Sequence, residues 1–185
     1  MVSEIAKVLL TESQIHARLD EMAEEISLDY AGKELTAVAI LNGSLVFLAD
    51  LLRRIPLPLR VDCLPASSYR GTRSTGSVRI REDLMPDLAG RHVLLLDDIL
   101  DTGLTLGAVR RQIASSASPA ASVRTCVLLR KQTATPRDVG ADYVGFDIPD
   151  EFVVGYGLDY NERYRNLPFI GVPTESALRT HANQS

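Results

Sequence analysis

Three carboxylates follow a run of apolar residues almost without separation. Residues 93–96 are Val-Leu-Leu-Leu, and Asp97, Asp98 and Asp101 occupy three of the next five positions. Burying an unpaired carboxylate is costly, so stability alone does not explain this placement. In an open α/β sheet, ligands bind beyond the carboxyl ends of the strands. The segment is therefore a candidate ligand site.

The residues that follow the acids are suited to binding a phosphate. Thr102, Gly103, Leu104 and Thr105 are predicted to form a turn into a helix, where backbone N–H groups and the helix N-terminus attract an anion. Carboxylates accept hydrogen bonds from ribose hydroxyls and bind Mg²⁺. A phosphorylated ribose with Mg²⁺ fits both halves of the segment. The alternative is a helix N-cap formed by Asp101, with the other acids in solvent.

The elements around this segment predict an α/β fold. A capping box at Thr11–Gln14 precedes apolar residues at helical spacing up to about Tyr30. Continuous apolar strands alternate with helices, which indicates a parallel sheet with helices on both faces. The predicted strands are 37–41, 60–64, 91–96 and 123–129, and the further helices are 46–54 and 105–115. Residues 67–79 are rich in Ser, Gly, Thr and Arg, which is typical of a mobile loop.

Length and composition exclude several classes of protein. A chain of 185 residues is expected to form one domain with a real core. Its net charge of −4 argues against nucleic-acid binding, and no apolar run approaches the ~20 residues of a membrane span. No signal peptide opens the chain, so we expect a cytoplasmic protein. Cys63 and Cys126 form no CxxC and are expected to be buried thiols.

Several segments together resemble one enzyme family. Residues 93–106, "VLLLDDILDTGLTL", resemble the phosphoribosyl-pyrophosphate (PRPP) motif of type I phosphoribosyltransferases. Residues 142–160 are similar to the base-binding hood of hypoxanthine-guanine phosphoribosyltransferases. The segments 41–53, 67–69 and 164–168 match the same family in the same order, so the resemblance covers roughly residues 5 to 172.

The resemblance implies a fold and an activity. It implies a single domain over residues 1–185 with a core at about 35–140, a hood from about 1–15 and 141–185, and a lid loop at about 67–79. The implied reaction transfers the phosphoribosyl group of PRPP to N9 of hypoxanthine or guanine with Mg²⁺, giving IMP or GMP in purine salvage. A homodimer or homotetramer is also implied. The alternatives are a phosphoribosyltransferase for xanthine or another base, and a regulator that senses PRPP or a purine.

The resemblance also implies roles for individual residues. Asp101 matches the general base that takes the proton from N7 of the purine as N9 attacks. The remaining implied residues are, for ribose and 5-phosphate, Asp97, Asp98, Asp101, Thr102, Gly103, Leu104 and Thr105; for pyrophosphate, Asn42, Gly43 and Arg165; for the purine, Lys131, Phe152, Val153 and Asp159; for the metal, Asp97, Asp98 and Asp159; and for the lid, Ser68 and Tyr69.

At some positions the sequence departs from the family or allows a simpler interpretation. Asn42 stands where many relatives have Lys, and Asn42-Gly43 could be an ordinary turn. Leu104 stands where some relatives carry Lys, which suggests that a lysine is not essential there. Taken alone, Lys131 would be a surface lysine and Phe152 a core residue. The lid arginines Arg70, Arg73 and Arg79 could contact pyrophosphate or remain in solvent.

Overall fold

The main element of the fold is a parallel sheet. The computed structural model describes residues 2–65, 85–116, 119–133 and 139–182. Its strands are β1 (Ile5–Leu10), β2 (Leu35–Leu41), β3 (Leu59–Pro65), β4 (His92–Leu100), β5 (Ser122–Gln132), β6 (Tyr143–Pro149) and β7 (Ile170–Pro173). The order β3-β2-β4-β5-β6 forms a five-stranded sheet in which all neighbours are parallel. The predicted parallel sheet is confirmed.

Helices cover both faces of this sheet, as the apolar strands require. They are α1 (Glu12–Asp29), α2 (Leu45–Leu52), α3 (Leu104–Ala114) and α4 (Glu175–Ala182). On β4, Leu94 and Leu96 join the core cluster that contains residues of α1 and α2, whereas Val93 and Leu95 join the cluster that contains residues of α3. The alternation of side chains along β4 therefore fills two cores at once.

The start of α1 follows directly from its sequence. Thr11 is the N-cap, its side chain accepts a hydrogen bond from the N–H of Gln14, and the Gln14 side chain accepts one from the N–H of Thr11. The apolar residues at helical spacing, Ile15, Leu19, Met22 and Ile26, are all buried. The predicted capping box and amphipathic helix are confirmed.

A small second sheet joins segments from the two ends of the chain. β1 and β7 pair antiparallel, and Val154 forms a further bridge to Gly171. The sequence prediction assigned all of residues 141–185 to the hood, whereas β6 lies at the edge of the main sheet. The part that leaves the main sheet therefore begins after Pro149, because β6 obtains its backbone partners from β5.

The structure also bears on two predictions made from composition, which concern the cysteines and membrane-spanning segments. Cys126 is buried, but Cys63 is exposed, so the expectation of two buried thiols is wrong for Cys63. The reason is that Cys63 lies on the edge strand β3, where most side chains are only partly covered. None of the helices within the described ranges has the length and apolar character of a membrane-spanning helix.

Candidate active site

The acidic pair lies where the pairing of β4 with its neighbour β2 has ended. The pairing of β4 with β2 ends at Leu96, but its pairing with β5 continues to Leu100. Asp97 and Asp98 are therefore part of β4 rather than residues of the following loop. β2 itself ends at Leu41, and the turn that follows it lies beside Asp98.

Asp97 is buried, with only 8% exposed, and the adjacent Asp98 is half-buried. Burial and the neighbouring charge of Asp98 raise the pKa of Asp97 well above its ordinary value. Burial also raises the pKa of Asp98, although backbone donors and the positive charge of Arg165 oppose this. A buried carboxylate pair of this kind is stabilised by a cation.

The donor set of this pair fits a hard cation such as Mg²⁺, since it consists of carboxylate oxygens. Within the described part of the chain, no three His, Cys, Asp or Glu side chains lie close enough together to hold a metal ion on their own. The proposed metal residues Asp97, Asp98 and Asp159 thus do not form a single protein cage. Mg²⁺ commonly takes only one or two carboxylates and completes its shell with water and substrate phosphates.

We expect Asp97→Asn to stabilise the protein at neutral pH when substrate and Mg²⁺ are absent. Because its pKa is raised on folding, Asp97 contributes stability below its unfolded pKa of about 3.9, and that stability is lost as the pH rises through the folded pKa. Removing the buried charge should raise the Tm at pH 7.5 by about 2–4 °C, equivalent to ~1 kcal/mol. Thermal melts at pH 4.5 and 7.5 test this; a lower Tm for the variant at pH 7.5 would contradict it.

The turn after β4 presents a helix N-terminus. Gly103 is the N-cap residue of α3 and has a φ of 77°, a left-handed conformation that glycine adopts readily. A Cβ on Gly103 would lie 3.1 Å from the carbonyl oxygen of Val139, so the neighbouring loop also limits the size of this residue. Since Gly103 occupies the N-cap position, the alternative that Asp101 caps the helix is wrong. The Thr102 hydroxyl accepts a hydrogen bond from the N–H of Leu104, and the Leu104 side chain is 51% exposed.

The turn after β2 contacts the acidic pair through its backbone. The Leu41–Asn42 peptide is cis, and the Asn42 carbonyl accepts a hydrogen bond from the N–H of Leu45 at 3.1 Å. A turn is thus present at Asn42-Gly43, as the simpler interpretation predicted. It is compatible with a binding role, because the backbone of Gly43 lies against Asp98: a Cβ on Gly43 would be 1.5 Å from Oδ2 of Asp98.

Arg165 lies on the other side of this turn. A Cβ on Gly157 would be 2.1 Å from the carbonyl oxygen of Gly43, so the two backbones are in close contact. Arg165 donates to the Gly157 carbonyl at 2.9 Å and forms an ion pair with Asp159 at 2.8 Å. The structure therefore brings together Gly43, Asp98, Arg165 and Asp159, which the sequence placed in four separate segments.

Lys131 lies near the end of β5, beside Asp101. Its Nζ is 3.9 Å from Oδ2 of Asp101 and 3.1 Å from Oδ1 of Asp150. Only 15% of its side chain is exposed, so the interpretation of Lys131 as a solvent-exposed surface lysine is wrong. The ammonium group of this largely covered side chain therefore lies beside Asp101.

The aromatic residue of the site is exposed. Phe152 is 47% exposed, which contradicts its interpretation as a core residue. Its ring contacts that of Tyr160 edge-to-face, with 5.6 Å between the centroids. Val153, by contrast, is buried. Phe152 follows Asp150 by two residues, and Tyr160 follows Asp159 directly. The contact of the two rings therefore joins the segment of Asp150 to that of Asp159.

Some site residues lie outside the described ranges, and others were not foreseen. The predicted lid residues Ser68 and Tyr69, together with Arg70, Arg73 and Arg79, belong to the segment that is not described. Sequence reasoning missed Asp150 as a partner of Lys131, although Asp150 directly follows a strand end. It also missed the contact of Gly157 with Gly43, which no local pattern indicates.

An acidic pair and a glycine-led helix at the carboxyl ends of a parallel sheet agree with the phosphoribosyltransferase class that the sequence resembles. The pattern of the family described as phosphoribosyl transferase domain matches residues 7–161. The chain is 47% identical over 175 residues to a hypoxanthine-guanine phosphoribosyltransferase of Mycobacterium tuberculosis, covering 91% of this chain and 86% of that protein. The identity is 44% over 174 residues to one of Streptococcus pneumoniae, covering 94% and 96%.

The comparison with a solved structure points to the same enzyme family. The crystal structure of a hypoxanthine phosphoribosyltransferase from Staphylococcus aureus superposes with a TM-score of 0.86 at 42% identity, covering 96% of this chain and 97% of that one. The chain belongs to the hypoxanthine-guanine phosphoribosyltransferase family. The fold class and family that the sequence predicted are confirmed.

Proposed function

We propose that this protein transfers the 5-phosphoribosyl group of PRPP to N9 of hypoxanthine or guanine, releasing pyrophosphate and giving IMP or GMP. The observation that carries the proposal is the placement of the Lys131 ammonium group 3.9 Å from Asp101, at the same end of the sheet as the buried acidic pair. A lysine donor can bind the 6-oxo group of a purine, which adenine lacks. A carboxylate beside it can take the proton from N7.

The reaction develops positive charge on the ribose and negative charge on the leaving pyrophosphate. Asp97 and Asp98 face the ribose side, where their carboxylates accept hydrogen bonds from the hydroxyls. The N-terminus of α3 after Gly103 binds the 5-phosphate through backbone N–H groups. Fixing the sugar at both ends aligns its anomeric carbon with N9 of the base, which is a large source of rate enhancement.

The pyrophosphate end is assigned to Gly43, Asn42 and Arg165. The guanidinium of Arg165 has a planar geometry suited to phosphate oxygens. It is paired with Asp159 and hydrogen-bonded to the Gly157 carbonyl, so its position is already fixed. Asp97, Asp98 and Asp159 are the residues that would hold Mg²⁺, which when bound supplies positive charge to neutralise the pyrophosphate.

Steady-state assays of PRPP with each of hypoxanthine, guanine, xanthine and adenine, with and without Mg²⁺, test this function. We expect Mg²⁺-dependent turnover of hypoxanthine or guanine and none of adenine. Turnover of xanthine alone would favour the phosphoribosyltransferase of a different base. Tight PRPP binding without turnover of any base would favour a regulator that senses PRPP.

We expect Lys131→Ala to weaken the discrimination against adenine. Loss of the ammonium group removes a charge-assisted hydrogen bond to the 6-oxo group, which is worth roughly 1.5–3 kcal/mol. The kcat/KM for hypoxanthine should therefore fall by about 10- to 100-fold, while the KM for PRPP changes little. Initial rates with varied base and saturating PRPP measure this. Unchanged kcat/KM for hypoxanthine would remove Lys131 from the role of oxopurine reader.

The oligomeric state remains a prediction of a homodimer or homotetramer. Leu45, at the first position of the apolar helix α2, is 51% exposed and is the kind of side chain that a subunit interface would cover. Sedimentation equilibrium at micromolar concentration distinguishes a monomer from these assemblies.

A further inference from the structure

Lys131 is held by Asp150 and not by Asp101, the proposed catalytic base. β5 and β6 pair in register, with Lys131 opposite Ile148 and Gln132 opposite Pro149. Asp150 is the first residue after β6, so its side chain meets the side chain of Lys131 at the strand end. The turn after β4 places Asp101 on the opposite side. Lys131 thus lies between carboxylates supplied by the two strands that flank its own.

The two carboxylates contact the ammonium group differently. Asp150 accepts a hydrogen bond from Lys131 at 3.1 Å, whereas the 3.9 Å separation from Asp101 exceeds hydrogen-bond distance. The two acids are comparably exposed, at 56% and 52% of their side chains, so solvent access alone does not explain the preference. Only 15% of the Lys131 side chain is exposed, so the ammonium group depends on protein partners as well as on water.

We propose that Asp150 is a positioning residue that holds the ammonium group of Lys131 away from Asp101 and directs it towards the 6-oxo group of the purine. This rests on the proposed function, in which Lys131 reads the oxopurine. An ammonium group has three N–H donors. One N–H of Lys131 is bonded to Asp150. The remaining donors can therefore bind the base while the hydrogen bond to Asp150 is kept.

Among the carboxylates that the structure describes, the other partner of Lys131 besides Asp150 is Asp101. A direct ion pair between Lys131 and Asp101 would bring the donor for the 6-oxo group and the acceptor for the N7 proton together at the position of the base. The purine would then have to break this pair before binding. The loss of Asp150 should therefore affect binding of the base first, and leave the PRPP end of the site unchanged.

The test compares Asp150→Asn with Asp150→Glu and with Asp147→Asn as a matched control. Asp147 lies on β6 and forms a two-point ion pair with Arg130, the neighbour of Lys131 on β5. Adjacent side chains on a strand point to opposite faces, so this control removes a similar ion pair outside the site. All four proteins, including the wild type, are assayed for hypoxanthine and PRPP under the same conditions.

We expect Asp150→Asn to raise the KM for hypoxanthine by about 10-fold, with a smaller change in kcat and an unchanged KM for PRPP. Asp150→Glu should restore the KM to within about 3-fold of the wild type, because it retains the carboxylate. Asp147→Asn should behave as the wild type. An unchanged KM for hypoxanthine in Asp150→Asn, or an equal rise in Asp147→Asn, would overturn the proposal. A wild-type protein that turns over no oxopurine would instead refute the proposed function itself.

Discussion

Replacement of Asp101 by Asn is expected to lower kcat by about 10²–10⁴-fold, the usual contribution of general acid–base catalysis. The amide has nearly the same size as the carboxylate but cannot take the N7 proton. Asp101 lies two residues before Gly103, the N-cap of α3, and beside Lys131, at 3.9 Å. It can therefore reach the base while the backbone N–H groups that follow it bind the 5-phosphate.

The KM for PRPP should change little in this variant, since the N-cap of α3 is Gly103 rather than Asp101. A lower kcat with little change in the KM for PRPP distinguishes a catalytic role of Asp101 from a structural one. Asp147→Asn is again the control, because it replaces a carboxylate by an amide outside the site. Single-turnover measurements with saturating substrates give the chemical step directly. A kcat within a few-fold of the wild type would remove Asp101 from the role of base.

The parts of the fold that depend on local patterns could be predicted from the sequence. The capping box fixed the start of α1, and the apolar run before Asp97 identified the central strand β4. β6 was not predicted, because its residues carry no strong alternation and include Gly145 and Pro149. It is stabilised by contacts that are remote in sequence: pairing with β5, and hydrogen bonds from Arg18 to the carbonyls of Val144 and Gly145.

In the candidate site too, local patterns could be predicted from the sequence, whereas contacts between remote residues could not. The acids, the glycine and the threonines of residues 97–105 could be found because one continuous segment carries them. The contacts of Asp150 with Lys131 and of Gly43 with Asp98 join residues 19 and 55 positions apart. Such contacts depend on strand order and register. A sequence pattern can indicate that a residue lies at a strand end, but not which side chain it meets there.

Replacement of Gly43 by Ala is expected to have a large effect on both stability and activity. The added Cβ would lie 1.5 Å from Oδ2 and 2.5 Å from Cγ of Asp98, far inside the contact distance. Asp98 cannot move freely, because its other oxygen accepts a hydrogen bond from the N–H of Ile99 at 2.8 Å. Movement of Gly43 in the other direction is limited by Gly157, which lies against its carbonyl oxygen.

The backbone must therefore shift, which costs about 1–3 kcal/mol in a well-packed region and lowers the Tm by roughly 3–10 °C. Displacement of this turn by about 1 Å should reduce kcat/KM for PRPP by ~10²-fold, since the turn and Asp98 act at the same end of the substrate. Gly140→Ala is the matched control, because a Cβ there meets no atom of the described residues within 4 Å. Thermal melts and PRPP titrations of both variants measure the two effects. If Gly43→Ala retained the Tm and the kcat/KM of the wild type, the turn could not be in contact with the acidic pair, and the assignment of Gly43 to the pyrophosphate end would be wrong.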